Sequence, residues 1–169
     1  PALQRAEQDP AVKAVVLTGS DKAFCGGADI REFNTDKRTT RPRVHDVLDH
    51  LDAAKKPVVA AIGGFALGGG LELSMTCHYR VALPGTRLAL PEITLGVIAG
   101  GGGIQRLPRI ISLERATEMV LSGAPIAVAE AKQLGLLDEI IEGDLLAGAL
   151  RFAEKLVAEG KGPRRIRDM

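Results

Sequence analysis

Short runs of apolar, β-branched residues alternate with amphipathic segments along the chain. Residues 14–18 and 58–62 are such runs, each ended by turn residues, and this pattern is typical of strands that are buried on both faces. In residues 44–55 and 145–159 the apolar positions instead recur at the spacing of one helix face. Strands that alternate with helices predict an α/β layered fold.

The same patterns predict the remaining elements. Further helices are expected at residues 71–77, 104–111, 113–121 and 126–134, and further strands at residues 79–82, 87–90 and 136–141. The strands at 79–82 and 87–90 flank a single turn, so we expect them to pair with each other. Pro108 is expected to interrupt its helix. The polar residues 34–43 are expected to form the most mobile connection.

Length and charge limit the classes of protein that fit. With 169 residues the chain is long enough for one domain with a sizeable core. Its 22 basic and 21 acidic residues leave a net charge of +1, which predicts no nucleic-acid partner. Charges or turn residues interrupt every apolar stretch, so we expect no membrane span and no membrane partner. Residues 1–160 are expected to form the domain, and residues 161–169 a basic, exposed tail or linker.

Cysteines and histidines offer little chemistry here. Two cysteines, Cys25 and Cys77, are too few for a disulfide framework, and a reducing compartment is the simpler setting. Without a histidine and aspartate arrangement beside it, Cys25 is interpreted as a packing residue. The three histidines, His45, His50 and His78, are too scattered to predict a metal site.

Two glutamates lie beside glycine-rich backbone and are the candidates for chemistry. Glu72 follows the triple glycine 68–70, and Glu92 precedes the four glycines 100–103. A carboxylate can move a proton, and a glycine lets a backbone N–H approach a developing negative charge without obstruction. Taken alone, each residue has a structural alternative. Glu72 could pair with a buried arginine, and Glu92 could cap a turn.

Four spaced motifs make the interpretation specific. The segments AFCGGADIREF (23–33), ALGGGLEL (66–73), CHYRVA (77–82) and LPEITLG (90–96) resemble the enoyl-CoA hydratase/isomerase family, also called the crotonase family. The resemblance covers roughly residues 11–152. Within the family, CHYR and the closing residues 163–168 look most like the hydratase/isomerase part of multifunctional fatty-acid β-oxidation enzymes, in which a 3-hydroxyacyl-CoA dehydrogenase part follows.

The resemblance implies a fold and a set of catalytic groups. The fold would be a crotonase-like spiral of ββα units, truncated at both ends. The thioester oxygen of an acyl-CoA substrate would be held by the backbone N–H groups of Ala28 and Gly69. Glu72 and Glu92 would be the two catalytic carboxylates, and the N–H of Gly100 would help to place a water molecule.

The resemblance also implies a substrate-binding segment. Asp29, Ile30 and Arg31 follow Ala28, and Arg31 matches a basic position that contacts the CoA phosphate in relatives. A solvated helix arginine is the alternative interpretation. Many relatives have Pro-Gly where this chain has Ala99-Gly100, so we expect the four-glycine loop to be looser than theirs.

The implied activity is that of an enoyl-CoA hydratase, a lyase, with Δ3-Δ2-enoyl-CoA isomerase as a second activity. Another crotonase chemistry, such as thioester hydrolysis or decarboxylation, and a non-catalytic acyl-CoA-binding module are the alternatives. No cofactor beyond the CoA thioester substrate is expected, and no metal. The resemblance implies a trimer or hexamer, or covalent continuation into a dehydrogenase domain.

Location follows the same resemblance. The chain would be cytoplasmic in a bacterium, and peroxisomal or mitochondrial in a eukaryote. It begins with proline rather than methionine, so we expect it to be a fragment, and the absence of a signal peptide says little about location.

Overall fold

A computed structural model describes residues 1–20, 22–32, 35 and 42–169. The strands are β1 (Val15–Thr18), β2 (Val58–Ile62), β3 (Phe65–Leu67), β4 (Tyr79–Ala82), β5 (Arg87–Ala89) and β6 (Glu139–Ile140). The α-helices are α1 (Ala2–Gln8), α2 (Val44–Asp52), α3 (Gly69–Thr76), α4 (Gly103–Ile110), α5 (Leu113–Ser122), α6 (Val128–Gln133) and α7 (Leu145–Ala158). Short 3-10 helices span Ile30–Glu32, Pro91–Leu95 and Ile166–Asp168.

The main sheet is parallel and has the strand order β1-β2-β4-β6. All five residues of the central strand β2 are buried. Because side chains alternate across a strand, Val58, Ala60 and Ile62 enter one hydrophobic cluster and Val59 and Ala61 enter another. The sheet therefore needs cover on both faces, which explains why these strands read as continuous apolar runs.

Two helices provide that cover. On the face of Val59 and Ala61, α7 contributes Ala149, Phe152 and Leu156, and the Phe152 ring packs edge-on against Tyr79 with ring centroids 6.1 Å apart. On the opposite face, α3 contributes Leu71 and Met75. Helix α3 is thus fixed by the main core.

A second, smaller sheet explains the order of the elements. In this sheet β3 pairs with β5 in parallel, and Cys25 forms a parallel one-residue bridge to Ala66. The chain therefore repeats one path three times: a strand in the main sheet, a strand or bridge in the small sheet, then a helical segment. This repeat is the predicted spiral of ββα units, and the α/β fold class is confirmed.

The predicted pairing of the strands at 79–82 and 87–90 is wrong. The residues do form β4 and β5, but each strand pairs in parallel with a strand of the preceding ββα unit. The turn at Pro84-Gly85 carries the chain from one sheet to the other instead of reversing it within one sheet. Sequence proximity favours a hairpin, whereas parallel pairing in the spiral places β4 between β2 and β6, where all four of its residues are buried.

Several element boundaries also differ from the predictions. Helix α4 continues through Pro108 and ends two residues later, so the proline does not interrupt it. Helix α6 begins at Val128, two residues later than predicted, and the last strand is reduced to Glu139–Ile140. Most of the segment expected to be mobile, residues 34–43, lies outside the described residues.

The C-terminal segment is docked on the domain, which corrects the expectation of an exposed tail. Ile166 is 1% exposed, lies in the main core and contacts α4 through its 3-10 helix. Arg164 pairs with Asp138 at 2.7 Å, and Arg167 pairs with the buried carboxylate of Asp52 at 3.0 Å. Ile166 and the paired arginines on either side of it thus hold the segment on the domain. The domain boundary at residue 160 stays a prediction.

Among the described residues, no helix combines the length and the hydropathy needed to span a bilayer.

Candidate active site

The small sheet brings three distant segments to one edge. Cys25, β3 and β5 run parallel, so their carboxyl ends lie side by side. The residues that follow them are Gly27-Ala28, Gly68-Gly69 and Leu90-Pro91-Glu92. A backbone hydrogen bond of 2.9 Å from Gly68 to Ala89 holds the second end beside the third. Parallel pairing alone therefore collects Ala28, Gly69 and Glu92.

The loop that carries Ala28 lies against the start of α3. Gly27 has a φ of +94°, and a Cβ on it would be 2.9 Å from the carbonyl oxygen of Leu67 and 3.1 Å from the nitrogen of Gly69. A side chain here would thus separate the two segments. A Cβ on Gly69 would lie 3.6 Å from the nitrogen of Ala28. The two backbone nitrogens are therefore neighbours.

Both nitrogens have free hydrogens in this part of the structure. Among the described residues, neither Ala28 N–H nor Gly69 N–H donates to a backbone or side-chain acceptor. Gly69 is the first residue of α3, where N–H groups have no partner within the helix and the helix dipole is positive. Both N–H groups can donate to one negatively polarised oxygen.

Glu72 lies on the first turn of α3 and is 3% exposed. Its Oε1 accepts a hydrogen bond of 2.8 Å from the N–H of Gly103, at the start of α4. Its Oε2 faces the other way, 3.9 Å from a Cβ built on Gly69. One oxygen is thus anchored by a helix N-terminus, and the other lies close to the first residue of α3.

Glu92 reaches the same space from the 3-10 helix Pro91–Leu95. A Cβ on Gly68 would lie 2.9 Å from its Oε1. Its Oε2 is buried and has no hydrogen-bond partner in the described part of the chain. Burial raises the pKa of Glu92 above its usual value, its own backbone N–H opposes that rise, and the charge of Glu72 adds to it. A carboxyl group with a raised pKa can exchange a proton near neutral pH.

Glycines 101 and 103, which the sequence did not single out, contact Glu72. A Cβ on Gly101 would lie 2.5 Å from Oε2 of Glu72, and a Cβ on Gly103 would lie 3.0 Å from Oε1. For Gly100, the predicted water-placing residue, the nearest atom to a built Cβ is the carbonyl oxygen of Ile98, at 3.8 Å. The four-glycine run was the available signal, because side chains there would fill the space of the carboxylate.

The predicted substrate-binding segment follows Ala28 at the surface. The Asp29 carboxylate accepts a 3.0 Å hydrogen bond from the N–H of Arg31 and so caps the 3-10 helix Ile30–Glu32. The guanidinium of Arg31 pairs with the same carboxylate at 2.7 Å and is 86% exposed. Ile30 is also exposed. A phosphate contact by Arg31 stays a prediction.

The structural alternatives for the two glutamates can be checked directly. The fully buried Arg80 does not pair with Glu72, because its guanidinium donates to the carbonyl oxygens of Leu136, Ser74 and Cys77. Glu92 does begin a turn, since its carbonyl accepts from Val97, but among the residues that the structure describes its carboxylate caps no backbone N–H other than its own.

Cys77 and His78 are buried titratable groups that take no part in this site. Complete burial raises the pKa of the Cys77 thiol to about 12, so it is protonated and unreactive. Burial lowers the pKa of His78 to about 4, and its Nδ1 accepts from the N–H of Val58. Within the described residues, no group of three or more His, Cys, Asp or Glu side chains could hold a metal ion.

Chemically, the site combines two carboxylates with two free N–H donors. The donors can stabilise negative charge on a carbonyl oxygen, and the carboxylates face the same space from α3 and from the 3-10 helix. Such an arrangement suits proton transfer beside an enolate-like oxygen.

Known proteins share both the sequence and the fold. The profile of the enoyl-CoA hydratase/isomerase family matches residues 1–166. The peroxisomal bifunctional enzyme of Danio rerio is 47% identical over 164 residues, covering 97% of this chain and 23% of that protein. The glyoxysomal fatty acid beta-oxidation multifunctional protein MFP-a of Brassica napus is 49% identical over 160 residues, covering 90% of this chain and 22% of that protein. The chain thus spans less than a quarter of these curated relatives.

Two solved structures are similar along most of the chain. An enoyl-CoA hydratase of Bacillus anthracis has a TM-score of 0.83 and 37% identity, covering 93% of this chain and 63% of the other. An enoyl-CoA hydratase of Polaromonas sp. JS666 has a TM-score of 0.85 and 32% identity, covering 93% and 64%. Since the match extends from the ββα spiral through both glutamates, the chain belongs to the enoyl-CoA hydratase/isomerase family.

Proposed function

We propose that this chain carries the catalytic unit of an enoyl-CoA hydratase, which adds water to trans-2-enoyl-CoA thioesters in fatty-acid β-oxidation. One observation carries the proposal: Ala28 and Gly69, whose N–H groups have no acceptor among the described residues, are neighbours, and the carboxylates of Glu72 and Glu92 lie beside Gly69 and Gly68. Hydration needs a base for water, an acid for the α-carbon and donors for the thioester oxygen. These four groups match that requirement.

Each group has one role in the proposed reaction. The N–H groups of Ala28 and Gly69 stabilise the thioester oxygen as it gains negative charge. Glu72 removes a proton from water as the water attacks the β-carbon, and Glu92 helps to hold the water and delivers a proton to the α-carbon. The raised pKa of Glu92 suits this delivery, because a protonated carboxyl is then present closer to neutral pH.

Isomerase activity is the second proposed function, and the state of Glu92 favours it. Moving a double bond from the 3- to the 2-position needs one base that reaches two carbons. Oε2 of Glu92 is buried and accepts no hydrogen bond from the described residues, so it is available for both transfers. Neither reaction as proposed uses a metal or a redox cofactor. Binding of Asp29, Ile30 and Arg31 to the CoA part also stays a proposal.

Isosteric substitutions separate the two activities. We expect Glu72→Gln to lower hydration of crotonyl-CoA by about a thousandfold and to leave isomerisation of a 3-enoyl-CoA largely intact. Glu92→Gln should lower both activities by about a thousandfold. The hydration rate is measured as the loss of enoyl absorbance, in a buffer that contains EDTA. Glu154→Gln is the matched control, because this exposed residue lies on α7.

Other results would select an alternative. Equal loss of both activities in the two glutamine variants would contradict the assigned roles. Release of free CoA thiol from the substrate by the parent chain would indicate thioester hydrolysis, and binding without turnover would indicate an acyl-CoA-binding module.

Two assemblies are proposed: a trimer or hexamer of this chain, or this chain as one part of a longer polypeptide. Sedimentation would test them. A peroxisomal or glyoxysomal location, as in the names of the eukaryotic relatives, is proposed for a eukaryotic source.

A further inference from the structure

The four-glycine loop is held at three successive points. The ring of His45 contacts the carbonyl oxygen of Gly100 at 3.0 Å through Nε2. Nη1 of Arg106 donates to the carbonyl oxygen of Gly101 at 2.7 Å. The N–H of Gly103 donates to Glu72. A run of glycines has the greatest backbone freedom, so these contacts determine the shape of the loop.

The side chain of Arg106 lies against this loop. It turns back from α4, and a Cβ on Gly102, which has a φ of +96°, would overlap with Nη1 of Arg106. Only a glycine leaves that space open. In the described part of the chain Arg106 forms no ion pair, so its charge is directed to the loop carbonyl and not to a carboxylate.

His45 holds the other side of the loop from α2. Since its partner is a carbonyl oxygen, Nε2 must carry the hydrogen and donate it. Leu48 lies one turn further on the same face of α2, and its Cδ1 would be 3.0 Å from a Cβ on Gly101. The exposed His45 and the buried Leu48 thus place α2 against the loop that encloses Glu72.

Holding the carbonyls also orients the N–H groups of the loop. In a trans peptide the C=O and the N–H point in opposite directions. The contact between His45 and the Gly100 carbonyl therefore sets the direction of the Gly101 N–H. In the same way, the contact between Arg106 and the Gly101 carbonyl sets the direction of the Gly102 N–H. Oε2 of Glu72 lies beside these peptides.

We propose that His45 and Arg106 are positioning residues that fix the four-glycine loop for the attacking water, and are needed for hydration but not for isomerisation. This inference rests on the proposed hydratase function. Neither side chain reaches the reacting atoms. They act through the loop, whereas the isomerase reaction requires only Glu92 and the two N–H donors.

The test compares the two activities in matched variants. His45→Ala and Arg106→Met remove the donors, and Arg106→Lys restores a cation. The controls are His50→Ala, on the same helix beside Glu7, and Arg109→Met, whose guanidinium contacts the Gln105 carbonyl of its own helix. The readouts are kcat for hydration of crotonyl-CoA and kcat for isomerisation of a 3-enoyl-CoA, with thermal unfolding to verify folding.

We expect each donor-removing variant to lower kcat for hydration about tenfold and to leave kcat for isomerisation within about twofold. Arg106→Lys should recover part of the hydration rate, and the controls should match the parent. If the variant of one residue fails to fold, the two activities of the variant of the other residue test the inference.

The failures are distinguishable. Suppose that the parent chain hydrates crotonyl-CoA. If the donor-removing variants then lose hydration and isomerisation in the same proportion, or lose neither activity, this inference alone is overturned. A parent chain without hydratase activity would overturn the proposed function and this inference with it.

Discussion

Two glycine-rich turns flank Glu72, and their glycines have different neighbours. In the run before Glu72, a Cβ on Gly70, the second residue of α3, would overlap with the carbonyl group of Cys25, which is backbone. In the turn before α4, a Cβ on Gly101 or Gly103 would meet the carboxylate of Glu72, which is the end of a side chain. Gly70 thus lets two ββα units pack together, whereas Gly101 and Gly103 leave room for a functional group.

This difference separates stability from activity. Backbone cannot move without moving the strand or helix that it belongs to, so a side chain at Gly70 must disrupt the contact between α3 and the loop after Cys25. A carboxylate can rotate away, at the cost of its position. Similar glycine runs in one sequence therefore have different consequences when they are changed.

The largest effect on stability is expected for Gly70→Ala. The new Cβ would lie only 2.7 Å from the carbonyl carbon of Cys25 and closer still to its oxygen. We expect a loss of about 3 kcal/mol in the free energy of unfolding, measured in urea. Gly162→Ala is the control, since no atom lies within 4 Å of its Cβ and its φ is not positive. Equal stability of the two variants would contradict the backbone contact.

A smaller effect on stability, with a larger one on turnover, is expected for Gly101→Ala. Its Cβ would lie 2.5 Å from Oε2 of Glu72 and 3.0 Å from Cδ1 of Leu48, so the carboxylate must move. We expect hydration of crotonyl-CoA to fall about a hundredfold, while the unfolding free energy falls by about 1 kcal/mol. Retained turnover would show that the carboxylate does not depend on this glycine.

The smallest effect concerns the pH dependence of stability at Glu92. Because burial raises its pKa in the folded state, the folded chain binds more protons than the unfolded chain between the two pKa values. Its contribution to stability is therefore greatest below the unfolded pKa and is lost as pH rises through the folded one. Glutamine resembles the neutral acid and avoids this loss.

We therefore expect Glu92→Gln to match the parent in melting temperature at acidic pH and to exceed it at neutral pH. The gain should be no more than about 2 °C, because the side chain is partly exposed to solvent. Thermal unfolding monitored by circular dichroism across the pH range measures it. A melting temperature below that of the parent at neutral pH would show that ionised Glu92 stabilises the fold.

Local patterns in the sequence were sufficient for most elements. The apolar runs at β1 and β2 and the amphipathic pattern of α7 lie where they were predicted, because burial of a strand or a helix face leaves a short-range periodic signal. The docking of residues 162–168 was missed, since it depends on Asp52 and Asp138, which are distant in sequence. A cluster of arginines gives no signal of such partners.

By itself, the sequence determined the chemical groups of the site: two glutamates, each beside glycines, in motifs of one family. Only the tertiary structure decided which strands pair, and thus that Ala28, Gly69 and Glu92 meet at one sheet edge. It also showed that Gly103 N–H and the loop held by His45 and Arg106 surround Glu72. The physical reason is range: periodicity and residue type act over a few neighbours, whereas parallel pairing and loop contacts join residues that are tens of positions apart.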